Sequence, residues 1–495
     1  MINDNSVKSE IQNSGSFHAS TLIVGGGISG LYMASRLADA GIDCVILEAG
    51  SAKPIGDWRD LSWYVEGRDR VDVDAPFPYN EKFSWVKALG GSTEAWEGYT
   101  PRWADYDFKT ASEFGIGFDW PLSYSDLERY YCRAEAFLGV AGIDDNPHDE
   151  YRSKPFPLPE FEFDEYESNI ISRAKQYNWH HVPQARNSRA YRGRSHCNTV
   201  ATCNSCPIQA RWSPSATLLP KLRRNKRVQI ITDSSCLEII PDNENRAVKA
   251  RVHSEGIGEW LATFDNLILA AGAVETSRLL LNSRERSPHG FLNDSGLVGR
   301  GYMDHPVIRV KADPEWTFHK QVEYNILAST HDYRKYDSSR GSWGFVTNLN
   351  SRAKGKIWVA AHFEMPALLT NQVVLSPERI DKHGIPMADI RIKEVWGNFD
   401  VTIEHAKSVL EDIAISAGGS NLQYDPFQLW ACHPMGGCMI SATEGEGVVN
   451  PELRAWESEN TYILSNGVFC SGAAVNPTLT LLALGMRLAE KLTKE

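Results

Sequence analysis

Gly25, Gly27 and Gly30 stand as GxGxxG directly after an apolar run and at the opening of a helical pattern. Glycines at these spacings let backbone amides reach a pyrophosphate at a helix N-terminus, and the flanking strand and helix make the motif specific. Glu48 ends the next apolar run, 18 residues after Gly30. An acid there holds a ribose diol and repels a 2′-phosphate, which disfavours NADP and leaves NAD and FAD undistinguished. Glycines that merely shape a turn are the plainer alternative, but strand, spacing and acid coincide. A second group, Cys197, Cys203 and Cys206, reads CxxxxxCxxC before Pro207 in a stretch poor in apolar periodicity. Three thiols so close suggest ligation of a metal or cluster more than packing; His196 would complete a zinc site, and ordinary thiols or a disulfide are the other reading. His433 lies in WACHPMGGCM, a segment too glycine-rich for a core helix. A lone histidine is more often structural, yet imidazole is the side chain that titrates near neutrality.

The elements that must position these residues follow from apolar periodicity. From Ser20, TLIVGGGISGLYMASRLADAGIDCVILEAG predicts a strand, a glycine turn, a helix with Leu31, Ala34, Leu37 and Ala38 on one face, and a second strand. Residues 55 to 220 break the alternation with loops rich in Trp, Tyr, Pro and Asp and a short helix around Leu127 to Leu138. Strand patterns return in VQIITD, CLEII, AVKARVHS and NLILAAGA, the last running into a helix at ETSRLLLNS. Between 306 and 430, IRVKAD, VEYNILAST, IWVAAHFEM and ADIRIKEV predict antiparallel sheet, and TYILSNGVF with LTLLALGMRLAEKL predicts a closing strand and helix. The expected fold is α/β, α+β overall. A Rossmann-like dinucleotide domain of 19–100, 221–305 and 431–495 is interleaved with a substrate domain of 101–220, carrying the cysteines, and 306–430, behind a disordered leader of 1–18.

Hydrophobic residues at 42% and charged residues at 23% of 495 match ordinary globular usage and exclude disordered, collagen-like and coiled-coil chains. The net charge of −12 argues against a nucleic-acid or polyphosphate partner. No apolar run approaches the ~20 residues of a membrane helix, and the opening lacks a signal-peptide pattern. A cytoplasmic chain without direct membrane insertion is expected, export with a partner subunit staying open. Nine cysteines do not read as a disulfide framework.

GGGISG, ALGGSTEAWEG at 88–98, LILAAGAVETSRLLLNS at 267–283, GLVGRGYMDHP at 296–306, HPMGGCMI and GAAVNPTLTLLALGMRLAE together carry a resemblance over nearly the whole chain. The sequence resembles the glucose-methanol-choline (GMC) family of FAD oxidoreductases. DFKTASEFGIGFDWPLSYSDLERYYCRAEAFLGVAG and PQARNSRAYRGR are similar to its sugar dehydrogenases acting on glucose, fructose or gluconate. The resemblance implies the GMC fold, FAD as cofactor and a sugar-like alcohol as small-molecule substrate. It implies that His433 removes the hydroxyl proton while hydride leaves the same carbon for flavin N5. Asn476, in AVNPTLT, matches the family's second polar residue, whose amide orients the hydroxyl and stabilises developing alkoxide. Asn476 before Pro477 also fits a helix N-cap, and both readings can hold together. A helix starting there aims its positive end at the flavin edge.

Gly90 and Gly91 let a loop pass close to a flat ring, and Ser92 and Thr93 can hydrogen-bond flavin or phosphate. The matched motifs add Trp96, Ala271, Gly272, Gly467, Pro477 and Thr478 to the expected FAD contacts. Ala95 stands where relatives with a covalent flavin carry histidine, so FAD is expected to be non-covalent. The similar sugar dehydrogenases carry a [3Fe-4S] cluster on three cysteines that passes electrons to a cytochrome subunit; here the last cysteine interval is two residues where theirs is three. Fifteen tryptophans are many; among Trp85, Trp96, Trp103, Trp120 and Trp212, one or two are expected to line the substrate side and the rest to be core. Net acidity suggests an amino sugar. The resulting expectation is a dehydrogenase passing electrons to an external acceptor or accessory subunit. An oxidase making peroxide, a flavin-containing lyase and a non-catalytic flavin subunit are the rivals, and His433 with Asn476 argues against the last.

Overall fold

The computed structural model of the chain describes residues 5–52, 71–79, 86–146, 148, 150–198, 203, 206–317, 328–340, 342–349, 355–396, 398–429 and 433–494. Strand Ser16–Val24 lies inside a seven-stranded sheet, parallel to Cys44–Leu47 on one side and to Gly258–Leu269 on the other. Val228–Ile231 extends the sheet beyond Cys44–Leu47 in the same sense. The far end of Gly258–Leu269 pairs in parallel with Thr461–Ile463, while its beginning starts an antiparallel meander through Ala247–Ser254 and Ser234–Pro241. Leu22, Ile23, Val45, Ile46, Leu267 and Ile268 are buried, as parallel strands covered on both faces must be. Helices Ile28–Asp39 and Thr478–Thr493 pack against each other, and Thr478–Thr493 also packs on Tyr124–Leu138.

A six-stranded antiparallel sheet, in the order Gly419–Leu429, Pro306–Pro314, Ile357–Phe363, Phe345–Leu349, Ala328–Thr330 and His180–His181, forms the second core. Helix Phe399–Ser416 covers it through Ala406, Val409, Leu410, Ile413 and Ala414. Hairpin Gln372–Ile380 and Pro386–Arg391 pairs with Val71–Asp74 in a small third sheet. This arrangement is the α/β fold with an interleaved antiparallel sheet that the sequence implies.

Five expectations change. Residues 5–14 of the supposed disordered leader form helix Asn5–Ser14, and the first strand already begins at Ser16. Val7 and Ile11, four residues apart on one helix face, are buried in the first core. Much of 101–220 also belongs to that core rather than to the substrate side, since Trp103, Phe108, Trp120, Leu127, Tyr131, Leu138 and Trp212 pack there. Helix Tyr124–Leu138 starts earlier than expected because Ser123 and Asp126 form a capping box. The buried Arg102 guanidinium grips the same helix, donating to both Glu135 oxygens at 2.8 and 2.9 Å and to the Tyr124 hydroxyl at 2.8 Å. Helix Phe399–Ser416 interrupts what reads as continuous sheet, and TYILSNGVF yields only the short strand Thr461–Ile463 before a tight turn at Asn466–Val468.

Candidate active site

A cavity of about 740 Å³ opens at the carboxyl ends of the parallel strands, lined by Gly25, Gly26, Gly27, Glu48, Gly91, Ser92, Thr93, Ala271, Gly272 and Thr478 among others. Such a crevice is where open parallel sheets hold ligands. Helices Ile28–Asp39, Gly272–Asn282 and Thr478–Thr493 all begin at its wall, and none has a side-chain cap on its first turn. Their first amides have no intrahelical acceptor, so three positive helix ends face one space, which fits a pyrophosphate and an electron-rich ring. The Gly90–Gly91 loop is tied to the glycine motif by a bond of 2.8 Å from the Gly90 amide to the Gly26 carbonyl. Glu48 accepts from the amides of Gly26 at 2.8 Å and Gly50 at 2.6 Å, which anchors its carboxylate beside the motif.

Other expected contacts lie elsewhere. Gly30 packs against the backbone of Gly25. The Trp96 indole donates to the Trp212 carbonyl at 2.9 Å and packs edge-on against the Trp212 ring, so it is held away from the cavity wall. Gly467 donates to the Ser465 hydroxyl and accepts from the Cys438 amide, and Pro477 caps helix Thr478–Thr493. Neither they nor Gly90 line the cavity. Unforeseen lining comes from Ser234, Ser235, Asn282, Asn466 and the hairpin turn Asp381–His383. The Arg278 guanidinium, which binds Asp381 at 2.6 Å and the Pro386 carbonyl at 2.7 Å, holds that turn in place.

His433 and Asn476 meet although 43 positions separate them: Asn476 Nδ2 lies 2.8 Å from His433 Nε2. The amide therefore serves the histidine, and the helix after it starts without a side-chain cap. Both residues are half-buried and neither is among the cavity-lining residues, but Thr478, two positions after Asn476, is. Paired amide–carbonyl bonds of 2.9 Å between Met303 and Met435 align the His433 segment with the segment 302–305. There Asp304 Oδ1 accepts the amides of His305 at 2.7 Å and His433 at 2.8 Å, and Oδ2 accepts the Tyr79 hydroxyl at 2.8 Å. His305 Nδ1 lies 2.9 Å from His433 Nδ1, and His305 Nε2 lies 3.0 Å from the Gly472 carbonyl. None of Tyr79, Asp304, His305 or Glu364 was singled out from sequence; Asp304 and His305 stood in the GLVGRGYMDHP motif with no role attached.

Burial dominates the charges here. It pushes the Asp304 carboxyl up to about 6 and the His305 imidazole down to about 4. Burial, with the His305 and His362 rings nearby, holds His433 well below its usual range, so the expected titration near neutrality is replaced by a ring that is neutral at pH 7. Glu364, which accepts the Ala473 amide at 3.2 Å, is pushed up to about 8 by burial and by Asp107, against the opposing pull of Arg334. Asp304 makes stability depend on pH. Its proton is retained to about 6 when folded but released near 3.8 when unfolded, so this contribution is present at low pH and is lost as pH rises between those values. Relative to Asp304→Asn, the natural protein should lose stability over that window in denaturation experiments; a difference that does not vary with pH would contradict the assignment.

Trp103, Trp120 and Trp212 are core residues, Trp120 donating to the Ser471 hydroxyl at 2.7 Å. Trp85 and Cys432 lie outside the described residues. The three-cysteine expectation is not supported. Cys203 is buried, with the Arg186 guanidinium donating to its sulfur at 3.5 Å, whereas Cys197 and Cys206 are half-exposed. Among the described residues no group of three His, Cys, Asp or Glu side chains is arranged to hold a metal ion, so neither the [3Fe-4S] cluster nor the zinc site with His196 is carried further.

Comparison with known proteins agrees with this geometry. Family models described as GMC oxidoreductase match residues 19–307 and 415–485. The fructose dehydrogenase large subunit of Gluconobacter japonicus is 26% identical, over 96% of this chain and 98% of its own. Paromamine 6′-oxidase of Streptomyces fradiae is 25% identical over 95% and 90%, and the gluconate 2-dehydrogenase flavoprotein of Pantoea cypripedii 21% identical over 94% and 91%. The crystal structure of pyridoxine 4-oxidase from Mesorbium loti superposes with a TM-score of 0.67 at 15% identity, covering 96% of this chain and 99% of that one, and shares the fold.

Proposed function

The chain belongs to the GMC oxidoreductase family, and from that premise we propose that it oxidises a hydroxyl of a sugar or sugar-like alcohol and passes the electrons to an external acceptor. FAD is its cofactor and, when bound, accepts the hydride from the carbinol carbon. Non-covalent attachment is supported by Ala95 before Trp96. The observation that carries the reading is the His433 Nε2 to Asn476 Nδ2 contact of 2.8 Å, beside a helix whose open end lines the cavity. A substrate hydroxyl takes the place of the amide at Nε2, donates its proton there and receives the amide N–H on its oxygen. A neutral, weakly basic imidazole suffices, because the hydroxyl becomes strongly acidic as hydride leaves its carbon.

The substrate class is supported by relatives named for fructose, gluconate and paromamine. An amino sugar agrees with the net charge of −12. An accessory subunit is supported by the relatives named as a large subunit and a flavoprotein. Among the described residues no helix is long and apolar enough to cross a membrane. The relative named paromamine 6′-oxidase supports the second reading, in which oxygen is the acceptor. Anaerobic mixing of the FAD-loaded protein with fructose, gluconate, paromamine and simple alcohols tests the proposal. At least one sugar-like alcohol should bleach the flavin, and admission of air against addition of a dye acceptor then separates oxidase from dehydrogenase. Bleaching by dithionite but by none of the alcohols would overturn it.

A further inference from the structure

We infer that His305 is a positioning residue that fixes which nitrogen of His433 accepts the substrate proton: His305 Nδ1 takes the His433 Nδ1–H and leaves His433 Nε2 as a bare lone pair facing Asn476. The inference rests on the reading of His433 as the base and adds the origin of its tautomer.

The chain of contacts begins at the Gly472 carbonyl. That oxygen only accepts, so the His305 Nε2 at 3.0 Å carries a proton. His305 is 1% exposed, and a second proton would place an unpaired charge in the interior. Its Nδ1 is therefore a lone pair. His433 Nδ1 lies 2.9 Å from that lone pair and must bring the proton of the bond. A neutral His433 protonated at Nδ1 is bare at Nε2. The Asn476 amide, which at 2.8 Å presents a donor to this nitrogen, agrees with the same assignment from the other end. In the opposite tautomer two lone pairs would face each other across 2.9 Å and two N–H groups across 2.8 Å. Asp304 makes the ring contact possible by binding both histidine amides through one carboxylate oxygen.

When the substrate O–H bond breaks, its proton goes to His433 Nε2, and the imidazolium keeps its Nδ1–H bond to His305. The relay ends on a backbone carbonyl and moves no proton further.

The test uses the FAD-loaded protein with ¹⁵N-labelled histidine. Two-bond ¹H–¹⁵N spectra, with His433 assigned by its loss in His433→Asn, should show a protonated Nδ1 and a bare Nε2. His305→Gln, whose amide can donate to Gly472 and accept from His433, should keep that signature and reduce flavin at a rate close to that of the natural protein. His305→Phe should lose the signature and reduce flavin about 100-fold more slowly, the scale of a misplaced tautomer or lost base. A proton on His433 Nε2 in the natural protein would overturn the inference, as would His305→Phe reducing flavin at the natural rate. If His305→Phe fails to fold or bind FAD, the natural spectrum and His305→Gln decide. Failure of the base reading is separate: it would appear as unchanged flavin reduction on removal of His433, whatever its tautomer.

Discussion

Replacing His433 with alanine is expected to leave FAD bound and to slow its reduction by an alcohol substrate by about 100-fold or more, the scale of lost general-base catalysis. FAD should be retained because His433 is not among the residues lining the cavity at the glycine motif, where FAD is proposed to bind. The rate should fall because the described side chains bonded around His433 are engaged elsewhere. Asp304 is directed to the two backbone amides and to Tyr79, and the lone pair of His305 faces the far nitrogen of the missing ring. Rapid mixing under anaerobic conditions, with flavin content measured on the same sample, checks both halves. Unchanged reduction kinetics would reject His433 as the base.

The second large effect separates two duties of one glycine motif. Gly25 has φ of +112°, and a Cβ there would lie 2.4 Å from the Ala270 carbonyl oxygen. Gly25→Ala therefore combines left-handed strain of about 1–2 kcal/mol with a clash of about 1–3 kcal/mol. It should lower the denaturation midpoint and abolish FAD binding together. Gly27 has φ of −80° and nothing within 4 Å of where its Cβ would be, yet it lines the cavity. Gly27→Ala should fold like the natural protein and lose FAD affinity alone. Equal stability of Gly25→Ala and the natural protein, or full FAD affinity of Gly27→Ala, would contradict the division.

The glycine motif, Glu48 and the strand patterns were legible because each depends on neighbours within a few tens of residues. The proposed catalytic pair was legible only through the matched HPMGGCMI and AVNPTLT motifs, since nothing local in the chain brings two residues 43 positions apart into contact. Asp304 and His305 were not legible. Their roles arise from partners 128 and 129 positions away in His433 and 225 positions away in Tyr79, and a buried carboxylate bonded to amides has no composition signal. Helix Asn5–Ser14 is not legible because, among its described side chains, Val7 and Ile11 are the apolar anchors, too few for a periodicity reading. The cysteine spacing finds no such support: Cys203 is buried while Cys197 and Cys206 are half-exposed, and among the described residues no group of three ligating side chains forms.

The most direct test of the central claim, that the protein removes hydride from a carbinol carbon as His433 takes the hydroxyl proton, is an isotope measurement. Anaerobic flavin reduction is followed with the best alcohol of the panel, unlabelled and deuterated at the reacting carbon, in the natural protein. Slower reduction with the deuterated alcohol is the predicted result. Bleaching at the same rate with both, shown not to be limited by binding through its independence of alcohol concentration, would contradict hydride transfer as the step these residues arrange.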